Sequence, residues 1–263
     1  MKIAAMSDLH LEFERDRAGP SIDNAIGADL VIFAGDIDIG TRGIAYADYV
    51  SKITGAPVVF VLGNHEGYDG TPFDILSDRM REAAAATDRR VTFRENDRVV
   101  FDDVHILGAT LWTDYAANGP EVIGFAMRQA GGGLNDHVRC RLRGSPFTAS
   151  AAGGLHFASR AWLGDMIKRI RSTDPFAKIV IVTHHAPILE ANQPQYHGGS
   201  LSPAFVSDMR AEIEAWRPAL WVFGHTHHDV DMTIGETRLV SRQRGYVGIE
   251  ASASDFQPAI VEI

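Results

Sequence analysis

Cysteine is nearly missing from this chain: Cys140 is the only one in 263 residues. An internal disulfide is therefore excluded, and a lone thiol fits a reducing compartment, so the chain is expected in the cytoplasm. Positive charge is also scarce, with 25 Lys and Arg against 34 Asp and Glu and a formal net charge of -9. That balance argues against general affinity for nucleic acid or an anionic membrane. It leaves an anionic small molecule open, because bound divalent cations would reverse the sign locally. Long apolar runs are absent too, and none approaches the ~20 residues of a membrane span. The opening MKIAAMSDLH carries Asp8 and lacks the apolar core of a signal peptide. No internal repeat and no low-complexity linker interrupts the chain.

What is present is ordinary in bulk and unusual in placement. Hydrophobic residues make up 45% and charged residues 22%, ordinary values for a soluble globular protein that can bury a full core. The length fits a single domain over residues 1–263, with a cap or insertion at about 114–154. The 11 His are numerous, and many stand at the ends of apolar runs.

Five such runs have the length and β-branched content of buried strands. Lys2–Met6 leads into Ser7-Asp8-Leu9-His10. Leu30–Ala34 leads into Gly35-Asp36, and Val58–Leu62 into Gly63-Asn64-His65-Glu66. Ile179–Val182 leads into Thr183-His184-His185, and Ala219–Phe223 into Gly224-His225-Thr226-His227. Polar residues just past the carboxyl ends of strands lie where open α/β folds bind ligands. In extended chain Asp8 and His10 would share a face, as would His225 and His227. Taken singly, Gly35-Asp36 reads better as a turn, and turn chemistry also accounts for Gly63-Asn64.

Between the strands, helical spacing predicts helices over 42–53, 74–86, 156–170 and about 203–216. Short strands are expected at 91–93, 98–101 and 104–107. Trp112 is assigned to core packing and Cys140 to a small, partly buried position. Residues 114–154 are the least regular stretch: Gly131-Gly132-Gly133 reads as a flexible spot. The basic run with Arg139, Arg141 and Arg143 reads either as a cap over the site or as a solvated loop. A substrate pocket is expected from 112–154 and 192–202.

The strand-end residues form a set: Asp8, His10, Asp36, Asn64, His184, His225 and His227. Mixed imidazole and carboxylate donors suit Mn, Fe, Zn, Ni or Co better than Ca or Mg. Seven donors are too many for one such ion and about right for two with a shared carboxylate, at the ~3.5–4 Å spacing of two-metal sites.

These blocks, in this order, resemble the calcineurin-like metallophosphoesterase superfamily. Its pattern is Asp-x-His, Gly-Asp, Gly-Asn-His-Glu/Asp, a later His, and Gly-His-x-His. Here it stands as Asp8-Leu9-His10, Gly35-Asp36, Gly63-Asn64-His65-Glu66, Thr183-His184 and Gly224-His225-Thr226-His227. The resemblance implies a four-layer α/β/β/α sandwich and two divalent transition metals. Asp8, His10, Asp36 and His227 would hold one metal. Asp36, Asn64, His184 and His225 would hold the other, with Asp36 bridging and His184 rather than His185 as ligand. His65 would contact the phosphoryl oxygen or leaving group, and Asp38 would steady a ligand from behind. The implied activity is hydrolysis of phosphomonoesters or phosphodiesters of small substrates by a metal-bridging hydroxide. The alternative is a non-catalytic scaffold of the same fold that binds a protein partner. Scaffolds of that kind typically lose ligands or the His of the Asn-His block, and this chain keeps all of them.

Overall fold

Alternate side chains of one buried strand face two different cores, and that sets the layering. Lys2–Met6 (β1) and Leu30–Phe33 (β2) run parallel, with Met6 opposite Phe33. Leu30 and Ile32 enter a core shared by two sheets. Val31 and Phe33 point the other way, into a core with helices. A strand buried on both faces has no polar alternation, which is why its sequence is a continuous apolar run.

The computed structural model describes residues 1–14, 19–250 and 253–263. The first sheet adds Val58–Phe60 (β3) and Val91–Phe93 (β4) beyond β2. Asp97–Phe101 (β5) and Val104–Ala109 (β6) begin the second sheet. Arg141–Leu142 (β7) and Ser145–Pro146 (β8) form a separate small hairpin. The second sheet continues with Lys178–Thr183 (β9), Leu220–Phe223 (β10), Val230–Ile234 (β11) and Thr237–Ser241 (β12). Ala259–Glu262 (β13) returns to the first sheet, antiparallel to β1. The orders are β13-β1-β2-β3-β4 and β11-β12-β10-β9-β6-β5.

Helices cover both outer faces. Arg42–Thr54 (α1) and Phe73–Ala85 (α2) pack Ile44, Ala47, Val50, Leu76 and Met80 on the first sheet. Ile123–Gly133 (α3) belongs to the same core through Ala126 and Ala130, and Asn135–Arg139 (α4) follows it. Ala149–Thr173 (α5) and Arg210–Trp216 (α6) cover the second sheet with Leu163, Ile167, Ile170 and Ile213. The result is the expected α/β/β/α sandwich. Among the described residues no helix is long and apolar enough to cross a membrane.

Four local expectations change. Gly131-Gly132-Gly133 is the last turn of α3, carried by the buried Ala130 just before it and Ala126 about one turn earlier. The helix expected over 203–216 is only α6. Before it, Val206 pairs with Ala186 in an isolated β-bridge, which needs extended backbone. The helix expected over 156–170 starts earlier, at Ala149, because the Thr148 hydroxyl accepts from Ala151 N and caps it. It also leaves Phe157, one of the apolar residues whose helical spacing predicts this helix, 57% exposed. Trp112 packs on Phe73 and Phe147, and Cys140 is fully buried.

Candidate metal centre

Parallel strands of both sheets carry their carboxyl ends to one edge, and the loops that leave them interlock. Asp8 N donates to Gly35 O (3.0 Å) and His10 N to Asp36 O (3.1 Å), so the loops after β1 and β2 are tied. Gly224 N donates to His184 O (2.9 Å), which does the same for β9 and β10. His225 N donates to both Asp8 oxygens (3.1 Å each), joining the two sheets' loops.

The backbone here is not extended. Asp8, His10, Asp36, His225 and His227 all have positive φ, between 48° and 78°. The pairs Asp8/His10 and His225/His227 therefore do not share a face as strand residues would. Left-handed backbone costs on the order of 1 kcal/mol for each such residue. The inter-loop hydrogen bonds, each worth about 1 kcal/mol net, offset that strain. Close approach fixes the glycines: a Cβ on Gly63 would stand 2.0 Å from Asp36 Oδ1.

All eight residues singled out in the sequence come together. Three overlapping groups each place one donor atom per residue within 4.8 Å of the others: Asp8/His10/His227, His10/Asp36/His65, and Asp36/His184/His225. Asn64 Oδ1 lies 3.0 Å from His184 Nε2 and so joins the last group. Asp36 is central. Its Oδ1 accepts from His65 N (2.8 Å), while Oδ2 stands 3.4 Å from His184 Nε2 and 3.9 Å from His10 Nε2. His185 stays out of the ring. It packs at a tilt against His225 (4.0 Å) and Trp112 (4.7 Å) with Nδ1 toward Thr110 O.

The donor set fits cations. Three imidazoles are anchored through Nδ1: His10 on Glu12 (3.2 Å), His227 on Glu250 (2.8 Å) and His184 on the Ala34 carbonyl (2.8 Å). Ionised carboxylates and carbonyls only accept, so each Nδ1 carries a proton and each Nε2 faces inward, where it can hold a second proton or a metal ion. His10 Nε2 and His227 Nε2 face each other at 3.0 Å. Two lone pairs at that distance repel unless a proton or a metal ion lies among them.

Electrostatics point the same way. Burial would push the Asp36 carboxyl up, but His184, His65 and His10 outweigh it and hold it well below the usual range. Burial would pull the imidazoles down. Asp36 and Asp8 instead lift His184 to about 9, and Asp8 with Glu250 lifts His227 to about 10. His185 and His225 go the other way, kept neutral first by burial.

The supporting groups were mostly invisible in the sequence. Glu66, seen only as part of a motif, accepts from Gly63 N (2.7 Å), Asp36 N (3.1 Å) and Ile37 N (2.9 Å). It clamps the loops after β2 and β3 together. Burial and the Asp36 charge nonetheless push its carboxyl up to about 8. Asp136, from the irregular stretch, accepts from Asn64 Nδ2 (2.9 Å) and Tyr68 OH (2.5 Å). Gln243 Oε1 accepts from His227 N (2.6 Å). Asp38, expected behind a ligand, instead pairs with Arg42 and caps Ile39 N. Glu12 extends the Asp8-x-His10 spacing by one more step, a local signal of a kind that Asp136 and Gln243 lack.

A cleft of ≈ 590 Å³ opens on the ring, lined by Tyr68, Leu134, Asp136, Tyr196, Leu201 and Phe205 among others. Of the two stretches expected to form it, only 133–136 and 192–202 reach it, with Phe205 just beyond. Arg139 lies over the Tyr68 ring (5.3 Å), and Arg141 bonds to the Val138 and Cys140 carbonyls.

Two packed mixed sheets with helices outside, and a ring of Asp, Asn and His at their strand ends, are the architecture of the metallophosphoesterases. The chain belongs to the calcineurin-like phosphoesterase family, which it matches over residues 1–229. It is 22% identical over 262 residues to an uncharacterized protein, L509, of Acanthamoeba polyphaga mimivirus, covering 92% of this chain and 90% of that protein. Its fold is similar to that of the phosphopantetheinyl hydrolase of Mycobacterium tuberculosis, with a TM-score of 0.72, 17% identity, and 98% and 95% of the two chains covered. The protein TT1561 of Thermus thermophilus follows with a TM-score of 0.52 at 14% identity, covering 92% of this chain and 88% of that one. At such identities the likeness speaks for the fold alone.

Proposed function

We propose that the chain is a binuclear metal-dependent phosphoesterase acting on phosphomonoesters or phosphodiesters of small substrates. The observation that carries this reading is the chain of overlapping donor groups, linked at His10 and at Asp36, with the His rings anchored so that their free nitrogens converge. Asp8, His10, Asp36 and His227 would hold one ion, and Asp36, Asn64, His184 and His225 the other. Two divalent ions there would offset the charge of a phosphate ester and make water a nucleophile near neutral pH.

The chain's own groups supply the rest. The cleft holds the organic part of the ester. His65 Nδ1 donates to Glu12 (2.8 Å), which leaves Nε2 facing the cleft, 3.3 Å from Tyr246 OH. Burial pulls the His65 pKa down, but Asp36 and Glu12 raise it above the ordinary value. A protonated His65 can then give its Nε2 proton to the leaving oxygen as the ester bond to phosphorus breaks.

The test is hydrolysis of an aryl phosphate and a bis-aryl phosphate by metal-stripped protein, before and after reloading with Mn or Zn. A phosphopantetheinyl ester belongs in the wider substrate screen, given the fold it shares with the hydrolase above. Activity is expected only after reloading, with two ions per chain, and Asp36→Asn should abolish it. Reloaded wild-type protein that is inert on every ester, or that saturates at one ion, refutes the reading.

A further inference from the structure

Glu12 lies in a short 3-10 turn, Leu11–Phe13, immediately after His10. Its side chain is 3% exposed. One oxygen, Oε1, takes two bonds: from His65 Nδ1 at 2.8 Å and from His10 Nδ1 at 3.2 Å. The two rings meet edge to face, their centroids 4.4 Å apart. Oε2 is buried and takes no hydrogen bond from the described residues. The two rings thus converge on one atom, though His65 comes from the loop after β3, 53 residues further along the chain than Glu12.

A carboxylate acceptor requires a proton on each Nδ1. The tautomer of both rings is thereby set, and Nε2 becomes the working atom in each. In His10 that atom faces His227 Nε2 at 3.0 Å, inside the donor ring. In His65 it faces the cleft, 4.0 Å from Asp36 Oδ2.

We propose that Glu12 is a positioning residue that fixes the tautomer and orientation of His10 and His65 together, so that one carboxylate oxygen serves both metal binding and leaving-group protonation. The inference rests on the roles proposed above for those two histidines. It goes beyond them in coupling the two functions: a change at Glu12 damages both, whereas a change at His65 damages one.

The test is imidazole nitrogen-15 NMR on metal-stripped and Zn-loaded protein, comparing wild type, Glu12→Leu and Glu12→Gln, with Zn affinity measured alongside. Wild type is expected to carry the His65 proton on Nδ1, with a far-downfield resonance from its bond to a buried carboxylate. Glu12→Leu should shift His65 to a mixture of tautomers and lower Zn affinity by roughly 10–100-fold, the usual effect of losing a partner behind a ligand. Glu12→Gln keeps an acceptor oxygen without the charge. It should retain the Nδ1 proton, move its resonance upfield, and recover most of the affinity. An unchanged His65 tautomer in Glu12→Leu overturns the proposal. If that variant does not fold, an unmoved His65 resonance in Glu12→Gln does so. Wild-type protein that hydrolyses nothing would count against the phosphoesterase reading, while the NMR comparison still decides the role of Glu12.

Discussion

Replacing Asp136 with Leu should loosen one metal ion without touching any donor atom. The reason lies in the Asn64 amide. Its Nδ2 donates to Asp136 Oδ1 (2.9 Å) and to Tyr68 OH (3.1 Å), while Oδ1 lies 3.0 Å from His184 Nε2. A flipped amide would turn an NH2 toward the ion and an oxygen toward the Asp136 carboxylate. A hydrogen bond to a charged acceptor is worth about 1.5–3 kcal/mol net, so Asp136 holds the productive orientation by more than ~10-fold.

With Leu in place, that bias is gone. Removing such a partner typically lowers metal affinity 10–100-fold, which is about 1.4–2.7 kcal/mol. Stability should fall by only about 1 kcal/mol, because Tyr68 lines the open cleft and water can replace its lost acceptor. Calorimetric titration of stripped protein with Zn reads the affinity of each binding event, and a thermal melt reads stability. One event should weaken and the other stay. Tyr68→Phe, which leaves the Asp136–Asn64 bond in place, should have a much smaller effect. A folded Asp136→Leu protein with two wild-type affinities would refute the argument, as would a Tyr68→Phe loss of equal size.

His65→Ala should lower turnover by roughly 10²–10⁴-fold, with metal content unchanged and a smaller loss on aryl than on alkyl esters. Since His65 also stands within the His10/Asp36 group, an emptied metal position would instead make it a ligand. Gly63→Ala should abolish metal binding or folding, because the new Cβ meets Asp36 Oδ1 at 2.0 Å and Asp36 N at 2.6 Å; wild-type Zn binding by this variant would show that the loop yields more easily than argued. The contributions of Glu12, His184 and His227 to the stability of the stripped protein should be present together between about pH 4.5 and 6.5. On the acid side, Glu12 has its pKa depressed from 4.5 to about 2, so its contribution is present above 4.5 and lost on descent to 2. On the alkaline side, His184 and His227 are raised from 6.5 to about 9 and about 10, so theirs is present below 6.5 and lost as pH climbs through those values. Melting curves across this range check it, and a flat response from pH 7 to 10 would contradict the imidazole assignments.

Reading the sequence located the strands well because each parallel strand is buried on both faces and so declares itself as an apolar run. It located the eight ring residues because a strand delivers its own end to the sheet's edge, a local relation. It failed where tertiary contact decides. Val206 sits in a helical-looking stretch but is drawn into a bridge with Ala186. The triple glycine reads as flexible, yet the packing of Ala126 and Ala130 carries α3 through it. Asp136 looks like any polar residue of an irregular segment, and only the fold brings it 72 residues back to Asn64.

The same distinction bears on the part of the chain beyond the family match, which stops at residue 229. His227 lies just inside that limit, but its geometry is set from outside it. Gln243 accepts from its backbone N–H and donates to His228 O (2.9 Å) and Thr226 Oγ1 (3.0 Å), holding the Gly-His-x-His loop in its left-handed course. Glu250 fixes the His227 ring through Nδ1 (2.8 Å). Tyr246 packs against His10 (4.5 Å) and His227 (4.8 Å) and reaches His65 with its hydroxyl. Strand β12 seats this segment by pairing with β10, the strand that delivers His225 and His227. A family pattern confined to the donors would treat residues 230–263 as an appendage. Their contacts make Gln243, Tyr246 and Glu250 the wall that aims one donor and closes one side of the ring.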